Sequence, residues 1–291
     1  MKYYKGNLHT HTTRSDGHKS PEEAIALYRA AGYDFIALTD HYVFNPASVT
    51  EDGMLVISGI EYDTGSDSKE GIYHVVGLGM QTPPALFNTD KRPPEEITQR
   101  IKEQGGFAML AHPAWSLNKP AEIERISDAV GGFDALEIYN SVSGLPYSTR
   151  PHSGEIVEQL AQDGYFFPLT AVDDTHYYTG DDRQSYVMVQ AEELTEKAIL
   201  DALRRGDFYA TQGPEFSWTL MDGVLTVRTT PVAAIFFNSN AVWTPYRITH
   251  GECVTAATYQ IKPNERWVRF ELIDTEGKRG WSRVIDLMNN E

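Results

Sequence analysis

The chain predicts an α/β fold, a mainly parallel sheet with helices outside, followed by a small antiparallel β module. Three observations carry this. Up to about Ala210, short apolar runs alternate with amphipathic stretches, three of which open on proline. Histidines and acidic residues recur at or near the ends of the apolar runs, where a barrel of this class gathers its functional groups. Past Ala210 the pattern becomes short alternating runs, such as Thr226-Val227-Arg228 and Trp267 to Leu272, divided by Asp222-Gly223 and Glu276-Gly277. Those dipeptides are turn signals. The expected division is therefore 1–210 for the α/β part and 211–291 for the module, packed on the first part or pairing with another subunit.

Taken in order, Asn7-Leu8-His9-Thr10-His11 reads as extended. Alternation with period two sends both imidazoles to one side. Two neutral imidazoles begin a divalent-metal site, and Asp16 adds a hard oxygen ligand. Ser20-Pro21-Glu22-Glu23 opens a helix, with Ser20 as cap and Glu23 completing a capping box. Ala31-Gly32 ends it. Strands are read at Phe35–Leu38, Leu55–Ile57, His74–Leu78, Phe107–Leu110, Ala135–Tyr139, Phe167–Val172 and Tyr186–Val189. Pro94-Glu95-Glu96 and Pro120-Ala121-Glu122 open two more helices, the first ending at Gly105-Gly106. Gln81 to Pro94, with four prolines, reads as a surface loop near the mouth. Thr39-Asp40-His41, Gly59-Ile60-Glu61, Tyr73-His74, Ala111-His112-Pro113 and Asp173-Asp174-Thr175-His176 lie at the strand ends.

Composition narrows the function. A chain of 291 residues with 41% hydrophobic content builds a sizeable core. A net charge of -16 argues against a nucleic-acid or anionic-membrane binder. The single cysteine, Cys253, excludes a disulfide framework and a thiolate metal site, and it reads as a buried small apolar residue. No segment has a signal-peptide core or a membrane-spanning apolar run, so a cytoplasmic protein is expected.

The motifs His9-x-His11 with Asp16-Gly17, Thr39-Asp40-His41, Gly59-Ile60-Glu61, His74, His112-Pro113 and Asp174-x-His176 resemble those of the PHP (polymerase and histidinol phosphatase) family, in the family's order. The tail, Gly206-Asp207-Phe208-Tyr209-Ala210-Thr211-Gln212-Gly213-Pro214 and the strands after it, is similar to one in a subgroup of these hydrolases. The resemblance implies a distorted (β/α)7 barrel and two or three divalent ions. It implies that His9, His11, Glu61 and Asp174 hold one ion. Glu61 would bridge to a second, held with His74 and His112, while Asp16, His41 and His176 hold a third. The family's last motif usually reads Gly-Ser-Asp-x-His. Here Val172-Asp173 precede Asp174, which leaves Asp173 as a competing ligand.

The implied activity is hydrolysis of a small phosphomonoester or nucleotide. The alternative is a carboxylic ester or carbamate on the same metal cluster; a non-catalytic scaffold is a third reading. A divalent ion lowers the pKa of bound water from about 15.7 towards 7, and a bridging position holds the hydroxide in line. Imidazole and carboxylate ligands without thiolate suit zinc, manganese or iron. Asp40 is expected to orient a ligating histidine. Arg14 is the first candidate for a phosphate clamp, with Arg183 and His152 behind it. Trp115, Tyr177 and Tyr178 either line a pocket for a planar group or pack at the mouth. His18 and His250 fit no motif, and Asp181-Asp182 reads as a solvated turn. A homo-oligomer through the C-terminal module is a further expectation.

Overall fold

The computed structural model describes residues 1–65, 71–84 and 92–288. The chain runs β1 (Lys2–Asn7), α1 (Pro21–Ala30), β2 (Phe35–Ala37), β3 (Ser48–Val49), β4 (Leu55–Ile57), β5 (Gly59–Asp63), β6 (His74–Leu78) and α2 (Pro94–Glu103). It continues β7 (Phe107–Leu110), α3 (Pro120–Val130), β8 (Ala135–Asn140), α4 (Gly154–Gln162), β9 (Leu169–Val172), β10 (Tyr186–Ala191) and α5 (Glu196–Arg205). The remainder is strand: β11 (Phe208–Thr211), β12 (Phe216–Met221), β13 (Val224–Ser239), β14 (Ile248–Gln260), β15 (Trp267–Ile273), β16 (Arg279–Trp281) and β17 (Ile285–Asp286). The Gln81–Pro94 loop falls partly outside the described residues.

Local sequence explains the helix starts. Ser20 caps α1 in a capping box with Glu23, and α1, α2 and α3 all carry proline in the first turn. Proline is suited there because its missing N–H would have no partner anyway. Gly131 and Gly206 end α3 and α5 in the left-handed conformation that glycine adopts at little cost.

The strands form two sheets, one of five strands in the order β5-β6-β7-β8-β9 and one of twelve that contains β1, β2, β4 and the C-terminal strands. The mixture departs from the mainly parallel sheet expected. β1–β2, β2–β4, β7–β8 and β8–β9 pair in parallel, whereas β5–β6 and β6–β7 pair antiparallel. No helix lies between β5 and β6 among the described residues, and a chain that returns directly pairs antiparallel. Beyond the ends of the strands, single-residue bridges Thr10↔Thr175 and His41↔Glu61 join the two sheets.

The C-terminal strands continue the larger sheet, because β16 pairs with both β11 and β15. Asp222 and Gly223, at φ 51° and 71°, make the tight turn between β12 and β13. These strands bury their own apolar cluster around Leu225, Ile235, Phe237 and Phe270. Trp281 instead packs with the first part of the chain, its ring 5.3 Å from that of Tyr139. Cys253 is exposed rather than buried; among the described residues its strand, β14, pairs with β13 alone. No helix among the described residues is long and apolar enough to cross a membrane.

Candidate metal centre

The predicted ligands come from six strand ends. His9 and His11 flank Thr10, just beyond β1, and the alternation expected of an extended segment brings their Nε2 atoms to 3.2 Å. His41 follows β2, Glu61 lies in β5, His74 opens β6, and His112 follows β7. Asp174 and His176 follow β9. Gly59 permits the approach of β5 to the end of β2, because a Cβ there would stand 2.5 Å from the Leu38 carbonyl oxygen. His112 and Asp174 have positive φ, 28° and 51°, a strained choice for residues with a Cβ.

Three overlapping groups result: His9, His11, Glu61 and Asp174; His11, Asp16, His41 and His176; and His41, Glu61 and His74. In the first, Glu61 Oε2 lies 3.3 Å from His9 Nε2 and 3.0 Å from His11 Nε2. Asp174 Oδ1 lies 3.2 and 3.1 Å from the same two nitrogens. Donors bound at about 2.1 Å to one ion sit about 3.0–3.4 Å apart, so these spacings fit a shared cation. The second group adds His11 to the expected Asp16, His41 and His176. The third substitutes His41 for His112, whose Nε2 stands 3.7 Å from both Glu61 and Asp174.

The donor chemistry supports the fit. Asp174 Oδ1 and His41 Nδ1 are buried without a hydrogen-bond partner, a costly state unless a cation faces them. His9 Nδ1 is 2.7 Å from Glu137 Oε1. Donating that proton turns the Nε2 lone pair into the group. His176 Nδ1 likewise donates to the Asp174 carbonyl at 2.8 Å. Burial raises the carboxyls of Glu61 and Asp174, but the histidines around them override it and hold both well below the usual range. Burial works against the protonated form of His176, yet the hydrogen bond to Asp16 and the charge of Asp174 lift it to about 9. Protons on the histidines thus balance the carboxylates where divalent ions would otherwise do so.

Several side chains take places that the sequence left open. Asp174 faces the histidines. Asp173 accepts from Tyr28 and from the backbone of Arg183, Gln184 and Ser185 instead. Asp40 is bonded to Thr12, Ser15 and Asn45 rather than to a histidine, so it fixes the loop that carries Asp16. Arg14 donates to Asn45 at 2.6 Å, and Arg183 pairs with Asp182. His152 packs against the stacked rings of Tyr139 and Trp281. The pair Asp181-Asp182 is buried, not solvated. Asp181 accepts the backbone N–H groups of His176, Tyr177 and Thr179, which fixes the loop after His176.

Glu137 was missed. It is fully buried, and besides His9 it accepts from the His112 N–H at 2.8 Å and from Asn140 Nδ2 at 2.9 Å. Its signal was a single charge inside the apolar run Ala135-Leu136-Glu137-Ile138, since an acidic residue is seldom buried without partners.

The centre opens into a cavity of about 400 Å³ whose rim carries Trp115, Tyr147 and Tyr177. Among the described residues, no arginine or lysine lines it.

Known proteins place the fold. No protein-family model matches the chain. An uncharacterized protein of Methanocaldococcus jannaschii is 29% identical over 177 residues, covering 55% of this chain and 96% of that protein. A two-domain protein of Bacteroides vulgatus, containing a predicted PHP-like metal-dependent phosphoesterase, superposes with a TM-score of 0.55 at 15% identity. The superposition covers 98% of this chain and 95% of that one. The chain has this PHP-like fold. An amidohydrolase of Chromobacterium violaceum aligns with 69% of this chain at a TM-score of 0.45 and 18% identity, covering 96% of its own length. The superposition on the two-domain protein takes in the C-terminal strands as well as the strands that carry the ligands.

Proposed function

We propose that the chain is a metal-dependent hydrolase acting on a small phosphomonoester or nucleotide. The observation that carries this reading is the convergence of the buried Asp174 Oδ1 and Glu61 Oε2 on the same two imidazole nitrogens, all within 3.3 Å. The proposed ligands are His9, His11, Glu61 and Asp174 for one ion, Asp16, His41 and His176 for another, and His74 with His112 beside Glu61 for a third. Zinc, manganese or iron in these positions would supply a water of lowered pKa and positive charge opposite the scissile group. Three divalent ions against Asp16, Glu61 and Asp174 leave a positive surplus suited to a phosphate dianion. Glu137 and the Asp174 carbonyl would keep His9 and His176 in the ligating tautomer, and Asp40 would hold the Asp16 loop. We also read β1, β2 and β5 to β9 as a distorted seven-strand barrel, a reading supported by the bridges at Thr10↔Thr175 and His41↔Glu61. We place a division at about residue 210, because most of the apolar cluster around Leu225, Ile235, Phe237 and Phe270 lies beyond it.

One observation favours a second reading. With no arginine or lysine among the described residues of the cavity wall and an aromatic rim, an uncharged carboxylic ester or carbamate also fits. Metal content per chain, measured beside rates on phosphomonoesters and aryl esters, separates the two. Two to three equivalents with phosphate release support the first, and bound metal with ester cleavage alone supports the second. A protein that takes up no metal on reconstitution excludes both. His9→Ala should lower turnover by orders of magnitude, whereas His250→Ala should leave it near the parent rate.

A further inference from the structure

We propose that the C-terminal strands are part of the metal centre, with Gln212 and Ser185 as positioning residues. They hold Asp173, and through its peptide bond the backbone of Asp174, in ligating geometry. This rests on the metal-centre reading above and extends it to residues remote from the ions.

Asp174 adopts φ 51°, a conformation that costs a residue with a Cβ roughly 1 kcal/mol or more and persists only where its surroundings over-determine it. Asp174 is held directly by its N–H bond to the His9 carbonyl and by Asn140 on its carboxylate. Asp173 holds it from the preceding position. Its Oδ2 accepts from Tyr28 Oη and from the Arg183 N–H, each at 2.6 Å. Its Oδ1 accepts from the N–H groups of Gln184 and Ser185, both at 2.9 Å, and from Ser141 Oγ at 3.0 Å. Its own N–H donates to Asn7 Oδ1 at 3.0 Å. Every one of these bonds turns Asp173 away from the ligand group and fixes the direction in which the chain enters Asp174.

The network continues into the C-terminal strands. The hydroxyls of Ser141 and Ser185 are 2.8 Å apart, and Gln212 Nε2 donates to Ser185 Oγ at 3.4 Å. Gln212, one residue past β11, is gripped at two points by β16. Its N–H donates to the Arg279 carbonyl at 2.8 Å, and its Oε1 accepts from the Arg279 N–H at 3.2 Å. A hydrogen-bonded path therefore runs from Arg279 through Gln212, Ser185 and Ser141 to Asp173, the neighbour of a ligand. Sheet pairing alone would attach the C-terminal strands to the fold without this path.

A purely structural network predicts lost stability and unchanged metal binding, so the test reads the metal. In the full-length protein, Gln212→Leu and Ser185→Ala are titrated with Co2+ by calorimetry, and visible spectra of the cobalt forms are recorded. The expected result is a dissociation constant weakened about tenfold or more at one site, with an altered cobalt band. Gln212→Glu, which keeps the acceptor for Arg279 but loses the donor to Ser185, should behave like Gln212→Leu. Thr244→Val removes a buried bond of 2.8 Å between the β13–β14 connection and Tyr259 of β14. It should lower Tm and leave affinity and spectrum unchanged. Cobalt binding and spectra equal to the parent's in both Gln212→Leu and Ser185→Ala would overturn the inference, whatever their Tm. Should Gln212→Leu not fold, the smaller Ser185→Ala change decides alone. A parent protein that binds no cobalt would overturn the metal-centre reading and the inference together.

Discussion

Glu137 shows how one side chain can govern a ligand it does not replace. Its Oε1 faces His9 Nδ1 at 2.7 Å while its other oxygen receives the His112 N–H and the Asn140 amide. Glu137→Gln preserves the volume but offers an amide that is a poorer acceptor and, in one orientation, a competing donor. Metal affinity should fall about 10- to 100-fold, as a calorimetric titration would record, with far-UV circular dichroism unchanged. An affinity equal to the parent's would mean that His9 keeps its tautomer without help. The sequence offered the nine ligand candidates through motifs that resemble those of a known family, His74 and His112 each standing alone and resting on that resemblance. It did not reach Glu137, whose two histidine partners are 25 and 128 residues away in the chain.

At the scale of an element, the His11–Asp16 loop depends on a glycine. The Gly17 N–H donates to Thr12, and a Cβ at position 17 would stand 2.4 Å from the backbone of His11. Gly17→Ala must therefore displace the loop, carrying Asp16 away from His41 and His176. Metal analysis after dialysis should find fewer equivalents than in the parent. Ser20→Ala acts on a neighbouring element with a different result. Loss of the cap of α1 should cost about 1 kcal/mol in denaturant unfolding, with metal content unchanged, because among the described residues the Ser20 hydroxyl bonds Glu22 and the Glu23 N–H of its own helix. The cap, the proline-opened helices and the hairpin at Asp222-Gly223 were legible because each is a local signal. The antiparallel β5–β6 pairing was not, since direction follows from the path between strands rather than from the strands' own residues.

For the molecule as a whole, the charge balance of the centre predicts a pH dependence that differs with and without metal. A group that holds its proton more tightly when folded stabilises the fold below its unfolded pKa. It loses that contribution as pH rises through the folded value. His9, His11, His74 and His176 are all shifted upward despite burial, His176 from 6.5 to about 9. Only His41, lowered by burial, opposes them. Chelated protein should therefore lose Tm as pH rises from 6.5 towards 9. Metal-loaded protein should not, because the ions replace those protons, and loading near neutral pH should release protons in a buffer-dependent calorimetric heat. A flat Tm for the chelated protein over that range would show that the histidines carry no extra protons.

By itself the sequence determined the α/β class, the helix starts and the change of pattern near residue 210, and its histidines and carboxylates pointed to divalent metal. These follow from spacing and from residue chemistry, which act over a few positions. Only the tertiary structure decided between Asp173 and Asp174, turned Asp40 from a histidine partner into a loop clamp, tied Arg14 to Asn45 and buried the Asp181-Asp182 pair. It also joined the C-terminal strands to the sheet that begins with β1. Each of these outcomes depends on which donors, acceptors and backbones arrive from distant parts of the chain, and burial then makes every unpaired polar atom costly enough to fix the choice.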